Sequence, residues 1–218
     1  MAESLTRGQK MFNQRLLAEH CVTEEVARGI WNTIHEAADD DGMGADSFEA
    51  SVALCNTQLK FCGLEIVAVS IKPPVGNNSG SNKSLQHYAV VNMFPDAMAK
   101  KSFTNAFHLH QYAFVRLVLE KLVEGPAARS TLINLRNDLE EAHKLALDPT
   151  EKALQKLLDE KWIQESSGSG SDSASRALGS YAAKLCLAPR AYMELGFLLV
   201  DEFGMHQDDL PQQIYHRL

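Results

Sequence analysis

Apolar positions along the chain change their period several times, and each change marks an element. From Arg7 to His20, Phe12 and Leu16 lie one turn apart and predict a first helix. Thr23, followed by Glu24 and Glu25, supplies a cap and an acidic first turn for a second helix. Its apolar stripe is Val26, Ile30, Trp31 and Ile34. An acidic, glycine-rich stretch from Asp39 to Gly44 ends that pattern. Asp46 and Ser47 then offer an N-cap, and Phe48, Val52, Cys55, Leu59 and Cys62 recur at alternating four- and three-residue steps, the spacing of one helical face. Gly63 suits the C-cap of this third helix.

The period then falls from helical to extended. LEIVAVSIK is a β-branched run closed by Pro73-Pro74, and LQHYAVVNM is a second strand. Between them VGNNSGSNKS has almost nothing to bury. Three helices followed by a hairpin with a long polar tip is the order of a winged helix, expected over residues 7–95. From Lys101 to Val123 a helical pattern places Phe103, Phe107, Phe114, Val118 and Leu122 near one face before Gly125-Pro126. It predicts a connecting helix within residues 96–128 that anchors both flanking modules.

Residues 129–204 repeat the plan. Helical segments are expected at Ser130 to Leu135 and around Leu139 to Leu147. A third follows Asp148-Pro149, read as an N-cap acid and a proline at the first helical position, with Ala153, Leu154, Leu157 and Leu158 inward. Then come WIQE, the tip SSGSGSDSAS, the strand YAAKLCLA and a helix opened by Pro189. Residues 205–218 read as an exit toward something further on. The expected fold is mainly α with small β-hairpins, an α+β arrangement of tandem winged-helix modules joined by a long helix.

Composition narrows the function. At 218 residues the chain suits two small domains, and 45% hydrophobic with 22% charged residues is ordinary for a folded protein. No apolar run reaches membrane-spanning length, and MAESLTRGQK lacks a signal-peptide core, so a cytosolic or nuclear protein without membrane association is expected. The formal charge of −7 opposes nonspecific attachment to phosphate backbones.

Candidate chemistry is sparse. A calcium loop starting at Asp39 would place Met43 and Ala50 at ligand positions, so the acidic cluster reads as a turn. His108 and His110 point about 200° apart on a helix and cannot share a metal ion. Cys55 and Cys62 share the apolar stripe of helix three and read as core thiols. No phosphate loop, nucleophile elbow or H-E-x-x-H sequence occurs, and neither a catalytic nor a metal residue is assigned. Helix three offers Glu49, Asn56, Gln58 and Lys60 outward, a poor set for reading bases. Lys152, Lys156, Arg176, Lys184 and Arg190 could form a weak phosphate-contacting patch. On helix one, Leu17 lies off the Phe12 and Leu16 stripe beside Asn13 and Gln14. An apolar residue flanked by amides suits a partner-binding face, although singly exposed leucines are also common.

FNQRLLAEHCVTEEVA, EKALQKLLDEKWIQE and LCLAPRAYMELG, together with LEIVAVSIK, HYAVVNM and the Phe-rich helix, resemble the first non-SMC element subunit of the SMC-five/six chromosome-maintenance complex. The resemblance implies a scaffold that pairs with a MAGE-type tandem winged-helix subunit and a kleisin, and through them indirectly with the SMC heads. It implies double-stranded DNA binding mainly by the assembled subcomplex, a nuclear, chromosome-associated location, and a role in DNA repair and recombination. It also implies a C-terminal RING-like zinc domain with ubiquitin-ligase activity. After Phe203 this sequence holds His206 and His216 but no cysteine. A chain stopping short of that domain is therefore expected, with no cofactor of its own and no ligase residue to assign. The alternative, from architecture alone, is a self-sufficient winged-helix DNA-binding protein.

Overall fold

The computed structural model describes residues 5–37, 47–71, 85–93, 107, 109–166 and 184–214. The acidic stretch at 39–44, the tip at 75–84, Phe103, His108, the side chain of His110, residues 167–175 of the second tip and Arg176 lie outside the described residues. Helices combine with small antiparallel sheets in an α+β fold. The chain divides into two compact units. Residues 5–71, 85–93 and 211–214 belong to the first, and the described residues from 107 to 210 belong to the second.

In the first unit, α1 (Arg7–Glu19) starts at a capping box. The Thr6 hydroxyl accepts the Gln9 N–H and the Gln9 side chain accepts the Thr6 N–H. β1 (Val22–Thr23) leads into α2 (Glu24–Ala37), whose first turn carries Glu24 and Glu25. Here Ala27 and Trp31 are buried and Ile30 and Ile34 pack against the core, whereas Val26 is 48% exposed, so the stripe the sequence suggests holds except that Ala27 takes the place of Val26. α3 (Phe48–Leu59) begins where the Ser47 hydroxyl accepts the Ala50 N–H. The helix ends at Leu59, and a 3₁₀ turn over Lys60–Cys62 with Gly63 at φ 69° follows. That tightening swings Cys62 out to solvent, so the core stripe stops at Leu59 and does not include Cys62.

β2 (Leu64–Ile71) and β3 (Leu85–Asn92) form an antiparallel hairpin, Leu64 opposite Asn92 and Ile71 opposite Leu85. The sheet order is β1-β3-β2-β7, where β7 (Gln212–Ile214) lies antiparallel to β2. The segment read as an exit thus contributes a strand to the first unit. The core gathers Phe12, Leu16, Trp31, Phe48, Val52 and Tyr88, among others, around edge-on aromatic contacts. Phe12 and Tyr88 sit 6.1 and 5.3 Å from the Phe48 ring.

In the second unit, α4 (Leu109–Val123) supplies Phe114, Val115, Val118, Leu119 and Leu122 to the core, with Phe107 just before it. The expected connector is therefore the opening helix of this unit. β4 (Ala127–Ala128) and α5 (Arg129–Asn134) follow. The helix expected around Leu139 to Leu147 is replaced by 3₁₀ turns at Leu135–Asp138 and Glu141–His143, which bury Leu139 without a continuous helical face. α6 (Leu147–Asp159) begins ahead of the proline, capped from Ala146 without a side-chain bond. Asp148 and Pro149 therefore lie inside its first turn, and the Thr150 hydroxyl donates to the Ala146 carbonyl. β5 (Ile163–Glu165) and β6 (Lys184–Leu187) make the second hairpin, in the sheet order β4-β6-β5. α7 (Pro189–Asp201) then opens with proline in its first turn.

Candidate interaction surface

α1 separates its residues cleanly into an inner and an outer face. Phe12, Asn13 and Leu16 are buried, with Gln9 held in the capping box behind them. Gln14 and Ala18 are exposed, and Met11 and Leu17 are 48% and 46% exposed. On a helix, residues 11, 14 and 18 follow one another at three- and four-residue steps with Leu17 beside them, so two large apolar side chains flank an amide on one solvent face. Gln14 and Leu17 thus lie where the sequence placed them. Asn13 does not, because it is 5% exposed, its carboxamide resting against the Cys55 thiol without a regular hydrogen bond. The inward arc of α1 is broad enough to include the residue after Phe12, and reading the stripe as Phe12 and Leu16 alone missed this.

The outward set expected on the third helix is reduced, with Gln58 half-buried and Lys60 exposed at its end. Asn56 is buried, with its carboxamide accepting the Ile66 N–H at 2.7 Å and donating to the Ile66 carbonyl at 3.0 Å. Glu49 is bonded to Arg28, which also pairs with Glu24 at 2.9 Å and lies 4.6 Å over the Phe48 ring. Two of the four side chains expected outside are therefore engaged in holding the unit together.

The expected phosphate patch is largely neutralised. Lys152 pairs with Asp148 at 2.8 Å, and Lys156 lies 3.7 Å from Glu160 and over the Phe107 ring. Arg190, its side chain only 11% exposed, pairs with Glu194 at 2.7 Å, donates to the Glu160 carbonyl and stacks 3.9 Å over Trp162. It is a packing residue, because its guanidinium is spent on three protein partners. Of the four described patch residues, Lys184 is exposed and forms no ion pair among the described residues. Partial burial pushes the Glu194 carboxyl above its ordinary range, against the pull of Arg190.

Two of the four thiols are not prepared as nucleophiles. Burial pushes the Cys55 thiol up to about 12 and raises Cys186 as well, which disfavours the reactive thiolate. Among the described residues no group of three or more His, Cys, Asp or Glu could hold a metal ion. No helix there is long and apolar enough to cross a membrane.

A family model for the Nse1 non-SMC component of the SMC5-6 complex matches residues 9–195. A chain in a solved structure of an Nse1-Nse3-Nse4 complex is similar in fold, with a TM-score of 0.63 at 19% identity, over 92% of this chain and 76% of that one. No curated protein matches the chain.

Proposed function

We propose that this chain, which belongs to the family of the Nse1 non-SMC component of the SMC5-6 complex, is a scaffold subunit that joins a MAGE-type subunit and a kleisin. The family match over residues 9–195 is the observation that carries the reading. The similar chain comes from a complex of Nse1 with Nse3 and Nse4, which supports assembly with partners of those two kinds. In this reading both units are winged helices. Each runs helix, two-residue strand, further helices and hairpin, and in each the short strand pairs with the second strand of the hairpin. α4 is then the counterpart of α1.

The partner-binding face is the outer side of α1 around Gln14 and Leu17. It joins exposed apolar area to an amide on a capped, rigid helix, the composition of a small interface core. Replacing Gln14 and Leu17 together with glutamate should abolish co-elution with the MAGE-type subunit while circular dichroism stays unchanged. Retained co-elution would reject this face. Double-stranded DNA is bound by the assembled subcomplex in a chromosome-associated, nuclear setting. A charge of −7 and the paired state of Lys152, Lys156 and Arg190 favour that over binding by the chain alone. The isolated chain should therefore fail to retard duplex DNA near physiological salt. Zinc and ubiquitin-ligase chemistry belong, in this reading, to a RING-like domain following the second unit.

A further inference from the structure

β7 joins the first sheet on the side of β2 away from β3. Successive residues of a strand turn their N–H and C=O to alternate sides, so residues two apart share a side. Ile66 fixes which side is which. Asn56 takes both its N–H and its C=O, leaving nothing for β3, so Ile66 faces the outer edge, and Ala68 and Ser70 face it too. These are the residues opposite Ile214 and Gln212, while Gln213, opposite Val69, turns its backbone groups away. The outer edge of β2 therefore presents three hydrogen-bonding stations in a row. One is closed by a side chain of α3, and two are closed by a strand from the far end of the chain.

We propose that this edge, at Ala68 and Ser70, accepts residues 212–214 of a second copy of this chain in place of its own, which occupy it in cis. Asn56 sets the length and register, because a strand running past Ala68 toward Leu64 meets its carboxamide. The surroundings set the chemistry. Val67 and Val69 are buried on one face of β2, and Ile66 and Ala68 on the other, so the segment carries neutral side chains, as Gln212, Gln213 and Ile214 do. Three residue pairs hold β7, few enough for an incoming strand to replace it, since short edge elements open most readily.

The test uses the full chain carrying Ile214→Pro, which removes one edge-facing N–H of β7, and a fluorescent peptide of sequence LPQQIYHRL followed by anisotropy. Saturable binding is expected, weakened about tenfold when the peptide amide matching Ile214 is N-methylated and little changed when the one matching Gln213 is. The unaltered chain should bind about tenfold more weakly than the variant, because its own strand competes. No saturable binding, equal sensitivity to the two methylations, or equal binding by both chains would overturn the proposal. Hydrogen exchange on the unaltered chain stands independently of the variant's folding. The Ala68 and Ser70 amides should exchange slowly, and rapid exchange at both would remove the seated strand on which the proposal depends.

Discussion

β2 of the first unit buries five residues in succession, Glu65 to Val69, whereas β6 of the second alternates, with Leu185 and Leu187 buried, Lys184 exposed and Cys186 between. The outer edge of β2 is filled by Asn56 and β7. Among the described residues, the equivalent edge of β5 carries no strand and ends in the exposed Gln164 and Glu165. One order of elements thus ends in two sheets of different character. The first is covered on both faces and closed at its edge, and the second is half wet and guarded by charge. The difference teaches that topology fixes strand order, while the surroundings decide which positions must be apolar.

The largest test of this contrast is a pair of core cavities. Phe12→Ala and Phe114→Ala should each cost roughly 3–5 kcal/mol. Trp31 lies in the first core and Trp162 in the second, so fluorescence in urea reads each unit separately once the other tryptophan is phenylalanine. Each cavity should shift only its own reporter. A common shift would mean that the units unfold together, and the comparison between them would lose its thermodynamic basis.

Next in size is Asn56→Ala, which strips both partners from the Ile66 backbone and should lower the stability of the first unit by about 2–3 kcal/mol. The Trp31 transition measures it. A smaller effect separates the units by pH. Burial raises the Glu194 carboxyl, so the folded second unit holds that proton more tightly than the unfolded chain. Its contribution is fully present below the ordinary glutamate value and is lost as pH rises through the raised one. The Trp162 midpoint should therefore decline over that window, and Glu194→Gln should flatten the decline without touching the Trp31 curve. Smallest, and opposite in sign, is Asn13→Leu. Replacing a buried amide that lacks a regular hydrogen bond should stabilise the first unit by about 1 kcal/mol in the same urea titration.

Much of the first unit is legible from sequence because its signals are local. Ser47 caps α3, Gly63 ends the turn after it, and the apolar runs around 66 and 90 can only be strands. The exposed pair Gln14 and Leu17 is legible for the same reason, since one helical wheel places both. Signals that depend on distant residues are not legible. β1 and β4 are two residues long and exist only because β3 and β6 lie beside them. β7 sits in a polar tail without periodicity and is defined by the edge it meets. The stretch from Leu139 to Leu147 carries helical composition, yet burying Leu139 and packing Leu145 across short turns satisfies the second core without a helix. Arg190 looks like a free cation in one dimension because Glu160 and Trp162 lie some thirty residues away in sequence.

A strand with one wet face tolerates change at every second position. β2 offers no such relief between residues 65 and 69, since a polar or bulky replacement meets packed atoms whichever way the side chain points. A scan of all single substitutions should therefore show an unbroken block of intolerance there, while Gln164 and Glu165 accept most residues. Variation in this protein is free to accumulate on the wet face of the second hairpin and is confined, on the first, to the ends of its strands.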